Sequence, residues 1–301
     1  MRGRVGERVA VLVLVAGLPA SALAQGDPLA EPFPAVVRVS DLDGRIGFRI
    51  DSVRASDRMG WSVGALGDFN GDGVDDVIIG APFANPGGTE PGGGKAFILF
   101  GSATGFPAIF DAADLDGSNG LVLQGARGPF DSGERAGNSV AGAGDLNGDG
   151  VADAVVGAES AGVDRHERLA GKSYVVFGRA DGVFDPTMQL ADVDGSTGFA
   201  VFGIDPGDIN GSAVSSAGDT NGDGFDDVLI GARGGGEGVY SGGGYYPYYF
   251  CCPGEAYVIY GRDVAGGASF PAVYEFGPGG VDEGKIIRGG DETANVGPAV
   301  K

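Results

Sequence analysis

The chain has 301 residues, a formal charge of −21 and 61 glycines, against a glycine share of roughly 7% in average proteins. So acidic a surface argues against nucleic acid and anionic lipid as partners, because both are bound through clustered Lys and Arg. No long stretch shows helical periodicity. Glycine instead punctuates short aliphatic runs such as DVIIGAP, KAFILFG and YVVFG, the pattern of brief strands joined by tight turns, and the expected fold class is all-β.

Residues 1–24 read as a signal peptide. Arg2, Arg4 and Arg8 make a basic start, Val9 to Leu18 is an apolar run too short to span a bilayer, and ALA at 22–24 offers a cleavage site before Gln25. The mature chain, 25–301, is therefore expected to be secreted or held at the cell surface, and cleavage leaves it more acidic still. No later segment is long and apolar enough for a membrane span.

A unit near 75 residues then recurs. Acidic loops begin at Asp68 (DFNGDGVDD), Asp145 (DLNGDGVAD) and Asp219 (DTNGDGFDD), 77 and 74 residues apart. Gly60, Gly137 and Gly211 stand eight residues before each loop, and Asp57, Glu134 and Asp208 eleven before. After each loop come an aliphatic run ending in Gly-Ala and a second run ending in glycine (AFILFG, YVVFG, YVIYG). The unit closes with DLDGSNGLVLQG at 114–125 and DVDGSTGFAVFG at 192–203, and a stray copy of that closing piece, DLDGRIGFRI, stands at 41–50. About four short strands per unit is the content of one β-propeller blade, which must stack on neighbours to bury its faces. The repeats run over about 54–126, 131–204 and 205–290, with a partial fourth at 291–301.

The loop spacing D-x-N-x-D-G-x-x-D suits a hard cation. Calcium takes six to eight oxygens, and side chains at positions 1, 3 and 5 converge when the chain curls around an ion. The expected ligands are Asp68, Asn70 and Asp72, the Val74 carbonyl and Asp76 in the first loop. The second offers Asp145, Asn147, Asp149, the Val151 carbonyl and Asp153, and the third Asp219, Asn221, Asp223, the Phe225 carbonyl and Asp227. Three Ca2+ sites follow. Carboxylates this close repel one another, and a bound cation offsets that repulsion. An EF-hand would need a bidentate Glu at position 12, where Ile79, Val156 and Ile230 stand within β-rich runs, so each loop joins two strands. Magnesium fits less well, since it demands a tighter octahedral shell.

The stretches GWSVGALGDFNGDGVDDVIIGAP (60–82), GNSVAGAGDLNGDGVADAVVGAE (137–159) and GSAVSSAGDTNGDGFDDVLIGAR (211–233) resemble the FG-GAP repeats of the integrin α-subunit β-propeller and its bacterial relatives. The resemblance covers nearly all of the mature chain. It implies calcium in the loop between the two innermost strands of a blade, and an adhesive, non-enzymatic role with a protein or glycan ligand. It also admits an accessory propeller of an extracellular hydrolase, since such propellers accompany the glycosylphosphatidylinositol-specific phospholipase D, or a lectin-like propeller. Only the first copy keeps Gly-Ala-Pro; Glu159 and Arg233 replace the proline in the others.

The family closes its ring with about seven blades, and closed propellers have at least about four. Three repeats and a fragment leave two faces open, so the expected propeller is incomplete, its ring closed by missing C-terminal blades or by a second chain. Cys251 and Cys252 end the aromatic insert YYPYYFCCPG (245–254), whose Tyr245, Tyr246, Tyr248 and Tyr249 are either a contact patch or a hairpin packed on its own blade. The two thiols are free, paired between chains or joined in a strained vicinal bridge. His166, the lone histidine, lies in a polar loop and supports no Ser-His-Asp site. Asn210-Gly211-Ser212 matches a glycosylation sequon by coincidence with the repeat.

Overall fold

The computed structural model describes residues 10–13, 36–85, 92–126, 133–162, 170–205, 207–235, 254–275 and 284–288. Before the first repeat lie β1 (Ala10–Val13) and β2 (Phe48–Asp51). The first repeat carries β3 (Ser62–Gly67), β4 (Asp76–Ala81), β5 (Lys95–Leu99), β6 (Ile109–Asp111) and β7 (Gly120–Gln124). The second carries β8 (Ser139–Gly144), β9 (Asp153–Ala158), β10 (Lys172–Val176), β11 (Thr187–Gln189) and β12 (Gly198–Phe202). In the third are β13 (Asn210–Gly218), β14 (Asp227–Ala232), β15 (Glu255–Ile259), β16 (Val273–Tyr274) and β17 (Gly284–Arg288).

Each repeat folds as an antiparallel four-strand blade: β3-β4-β5-β7, β8-β9-β10-β12 and β13-β14-β15-β17. The remaining strand of each repeat crosses to the blade before it and pairs in parallel with its outermost strand: β6 on β2, β11 on β7 and β16 on β12. Successive blades are thus tied by backbone hydrogen bonds as well as by packing. The first strands, β3, β8 and β13, lie side by side in that order. The architecture is an all-β, incomplete propeller.

The core lies between blades, because successive residues of a strand point to opposite sheet faces and so to different neighbours. In β4, Ile78 joins a cluster with Ile98, Leu121 and Leu123 that packs on Ala154, Val156, Tyr174 and Val176 of the second blade. Ile79 faces the other way, onto Phe48 and Ile50 of β2. Val155, Phe199 and Val201 face forward from the second blade onto Val228, Ile230 and Tyr257 of the third. With a blade on either side, every residue of β9 is buried, which explains why DAVVGA reads as a continuous apolar run rather than an alternating one.

Close approach fixes the glycine that ends the aliphatic run in the first two repeats, though not Gly231 in the third, where a Cβ would find ordinary contact at 3.5 Å. A Cβ on Gly157 would lie 2.1 Å from the Gly211 carbonyl oxygen of the next blade, and one on Gly80 2.0 Å from that of Gly137. On the outer flank of the first blade, Val63 is 60% exposed, whereas its repeat counterparts Val140 and Val214 are buried against the preceding blade. Trp61 of the same repeat and Val53 just before it are also exposed. β2 has only β6 on one side and β1 on the other, in the order β1-β2-β6. The stray copy at 41–50 therefore supplies the outer strand of a further blade. β1, from the segment read as a signal peptide, pairs antiparallel to β2 in the place β5 takes beside β7. Residues 245–253 of the aromatic insert, with both cysteines, His166 and the partial fourth repeat, lie outside the described residues.

Candidate metal centres

Each acidic loop joins the first two strands of its blade, as its sequence implies. The turn needs left-handed backbone at two loop glycines: Gly71 and Gly73 have φ +75° and +85°, and Gly148 and Gly150 +75° and +89°. A side chain at these places would be strained, so the fourth position of the motif is as constrained as the sixth.

Within the first loop the expected side-chain ligands fold onto the loop's own backbone amides. Asp68 accepts from the Asp72 and Gly73 amides at 3.0 and 2.8 Å, the Asn70 side-chain oxygen accepts from the Asp72 amide at 3.1 Å, and Asp72 accepts from the Val74 amide at 2.8 Å. The second loop repeats this around Asp145, Asn147 and Asp149, with the Val151 amide on Asp149 at 3.0 Å. The third repeats it around Asp219, Asn221 and Asp223, with the Phe225 amide on Asp223 at 3.0 Å. The ninth-position acids sit at the base of the loops, buried. Asp76 accepts from the Phe69 amide at 2.8 Å and from the Gly101 amide at 2.7 Å. Asp153 and Asp227 do the same with Leu146 and Gly178, and with Thr220 and Gly261.

Gly101, Gly178 and Gly261 are the glycines that end the second aliphatic run, and their role was not visible in the sequence. Each gives its amide to the ninth-position acid, and a Cβ there would lie 2.5, 2.3 and 2.3 Å from the carbonyl oxygens of Asp75, Ala152 and Asp226. The recurring glycine was the signal; its partner some 25 to 34 residues away was not.

Burial pushes the Asp76 carboxyl up to about 6 and Asp153 well above the usual carboxylate range. Backbone amides oppose the shift, while neighbouring Asp72 and Asp68, or Asp149 and Asp145, add to it. Among the described residues no group of three His, Cys, Asp or Glu side chains is drawn tightly enough to hold a metal ion as it stands. The donor chemistry nevertheless fits a hard cation: only oxygen atoms are offered, and most of the carboxylate oxygens named accept a single amide, leaving lone pairs free.

The loops differ in their surroundings. In the first, the Asp68 and Phe69 carbonyls accept from the Ala152 and Arg179 amides of the second repeat at 2.8 and 2.9 Å, and the Phe69 ring stacks on Phe184. The Leu146 and Asn147 carbonyls of the second accept from Arg262 and Val264 of the third repeat at 2.9 and 3.0 Å. Asp219 to Gly224 of the third loop are exposed, and Thr220 stands where Phe69 and Leu146 are buried. The Thr220 hydroxyl instead donates to Asp227.

The acids eleven residues ahead of each loop prove to be buried at the opposite end of the strands. Glu134 pairs with Lys172 at 3.1 Å and accepts from the Tyr174 hydroxyl at 2.9 Å. In the third repeat Glu255 takes the place of that lysine. Burial first, then the charges of Glu255 and Asp205, push the Asp208 carboxyl up to about 6, against the amides of Asp205 and Ile204. A folded-state value above the unfolded one means that the folded chain binds the proton more tightly, so stability falls as pH rises from about 4 to 6. Asp208→Asn is therefore expected to stabilise the chain by about 2 kcal/mol at neutral pH and to change little at about pH 4. Thermal melts of both proteins across that range are the check, and a gain that does not shrink on acidification would contradict it.

Asn210, the sequon residue, is fully buried and accepts from the Ser173 hydroxyl at 2.8 Å, which keeps it from glycosylation in the folded chain.

Comparison with known proteins agrees with this geometry. The family model described as FG-GAP repeat matches residues 59–99, 136–176 and 210–246, one copy per blade. The chain is 32% identical over 188 residues to phosphatidylinositol-glycan-specific phospholipase D of Bos taurus, covering 60% of this chain and 19% of that protein. It is 30% identical over 231 residues to integrin alpha pat-2 of Caenorhabditis elegans, covering 69% and 17%, and 30% identical over 182 residues to integrin alpha-V of Gallus gallus, covering 60% and 14%. The chain thus spans about a fifth of the length of the curated relatives it matches. Among the described residues no helix is long and apolar enough to cross a membrane. Three matched repeats, each folded as a four-strand blade around its acidic loop, place this chain in the FG-GAP repeat family, with an integrin-α-like propeller architecture.

Proposed function

We propose that this chain is a secreted or surface-exposed propeller segment, stiffened by calcium, that serves adhesion or ligand recognition. The observation that carries the reading is the threefold recurrence of one oxygen-lined loop, two copies of which lie at joints between blades. Asp68, Asn70, Asp72 and Asp76 with the Val74 carbonyl would hold the first ion. The second would rest on Asp145, Asn147, Asp149 and Asp153 with the Val151 carbonyl, and the third on Asp219, Asn221, Asp223 and Asp227 with the Phe225 carbonyl. Calcium supplies charge neutralisation there and no reaction chemistry; the chain's own carboxylates fix the turn, and the backbone carbonyls of the first and second loops anchor it to the next blade. The integrin relatives support a protein ligand, and they and the phospholipase D support an extracellular place, where free calcium is plentiful.

A second reading, an accessory propeller of a hydrolase, is favoured by the likeness to phosphatidylinositol-glycan-specific phospholipase D. The propeller would then bind while another domain carries out the chemistry. Calorimetric titration tests the metal reading common to both. The wild-type chain is expected to take up three calcium ions, and Asp72→Ala, Asp149→Ala and Asp223→Ala one fewer each. An absence of calcium uptake would overturn it.

A further inference from the structure

We infer that the second and third cation loops do not fill independently: Asp226 links them, so that an ion in one raises the affinity of the other. This rests on the calcium reading above.

Asp226 is the eighth residue of the third loop, between the Phe225 carbonyl and the Asp227 carboxylate that would bind the third ion. Its side chain leaves that loop. The Asp226 carboxylate accepts from the backbone amide of Asp145, the first ligand of the second loop, at 3.0 Å. In return the Asp226 amide donates to the Asp145 carbonyl at 3.2 Å. The residue that opens one cradle is therefore held on both sides by a residue flanked by two ligands of the next.

The neighbouring positions pack closely on this contact. A Cβ on Gly144 would lie 2.1 Å from the Asp226 carboxylate, and the φ of +77° keeps that position to glycine. A Cβ on Gly261 would lie 2.3 Å from the Asp226 carbonyl oxygen. The ring of Phe225 covers the second loop at Gly148, where a Cβ would lie 2.5 Å from its edge. An ion that draws the Phe225 carbonyl and Asp227 together thus orders Asp226, and Asp226 orders Asp145. Coupling through shared order is reciprocal, and such couplings commonly amount to about 5-fold or more in affinity.

The first and second loops provide an internal control. There the eighth position of the second loop is Ala152, and only its backbone amide reaches the Asp68 carbonyl, at 2.8 Å. Among the described residues no carboxylate crosses that joint, so the first and second sites should be nearly independent.

The test uses the full chain carrying Asp72→Ala, which leaves the second and third sites to be titrated with calcium by calorimetry. Adding Asp223→Ala, which empties the third site, is expected to weaken the second about 5-fold or more. In a chain that also carries Asp226→Ala, a change that copies Ala152, emptying the third site should alter the second less than about 2-fold. Near-ultraviolet circular dichroism checks that each variant is folded. If Asp226→Ala does not fold, Ala152→Asp carries the test in a chain that keeps Asp72 and carries Asp223→Ala, and it is expected to make the first and second sites cooperative. Equal affinity of the second site with and without the third, or a coupling that survives Asp226→Ala, overturns the proposal while leaving the calcium reading intact. No uptake at any site overturns both.

Discussion

Chelating calcium is expected to lower the melting temperature of the chain by about 10 °C for each loop that it empties. A ligand held about 1,000-fold above its dissociation constant adds about 4 kcal/mol to the folded state, and a domain of this size moves by about 2–4 °C per kcal/mol. The mechanism is visible at the base of the loops. Asp76 and Asp153 are buried among other carboxylates, and without a cation that mutual repulsion acts on the folded state alone. The effect should be largest for the second loop, whose Asp145, Leu146 and Asn147 carbonyls all accept from the third repeat. A chain carrying Asp149→Ala should therefore melt lower than one carrying Asp223→Ala, whose loop is exposed. Differential scanning calorimetry with calcium and with chelator measures both, and a shift within about 2 °C would contradict the reading.

Phe199→Ala is expected to destabilise the chain by about 3–5 kcal/mol, whether or not calcium is present. Phe199 is fully buried on β12, at the joint of the second and third blades. Its ring stacks on Phe270 at 5.0 Å, lies 4.9 Å from Tyr274 and meets Phe177 edge-on at 6.0 Å. Phe270 and Tyr274 come from the segment of the third repeat that ends in β16, the strand that crosses to pair with β12. Truncating the ring leaves a cavity at the point where that crossing is held. Val183→Ala, at a position 64% exposed, should have an effect within about 0.5 kcal/mol. Urea unfolding in chelator separates this prediction from the first: the deficit of Phe199→Ala should persist there, since it concerns apolar contact and not metal.

The sequence by itself determined whatever depends on one stretch of chain. The spacing of Asp68, Asn70 and Asp72 sets a turn, because the Asn70 and Asp72 side chains each accept the backbone amide two residues further on. The runs VIIGA and AVVGA set strands, and a period near 75 residues set the blades and their number. The closing motif was also legible at 41–50, though only the pairing of β2 with β6 shows it to be the outer strand of a further blade. The tertiary structure decided what depends on residues brought together from different repeats. Gly101, Gly178 and Gly261 recur in plain sight, yet only the folded blade shows each amide on an acid of the loop behind it. Asp226 differs from Ala152 by what reads as an ordinary surface substitution, and only blade stacking turns it toward Asp145. The acids eleven residues before each loop read as one conserved spacing within the chain, but Lys172 satisfies Glu134 whereas Glu255 opposes Asp208. Turn geometry and strand period are written in neighbouring residues, because backbone torsions are local. Charge balance and cradle coupling depend on distances across a joint between blades, and those exist only once the blades have stacked.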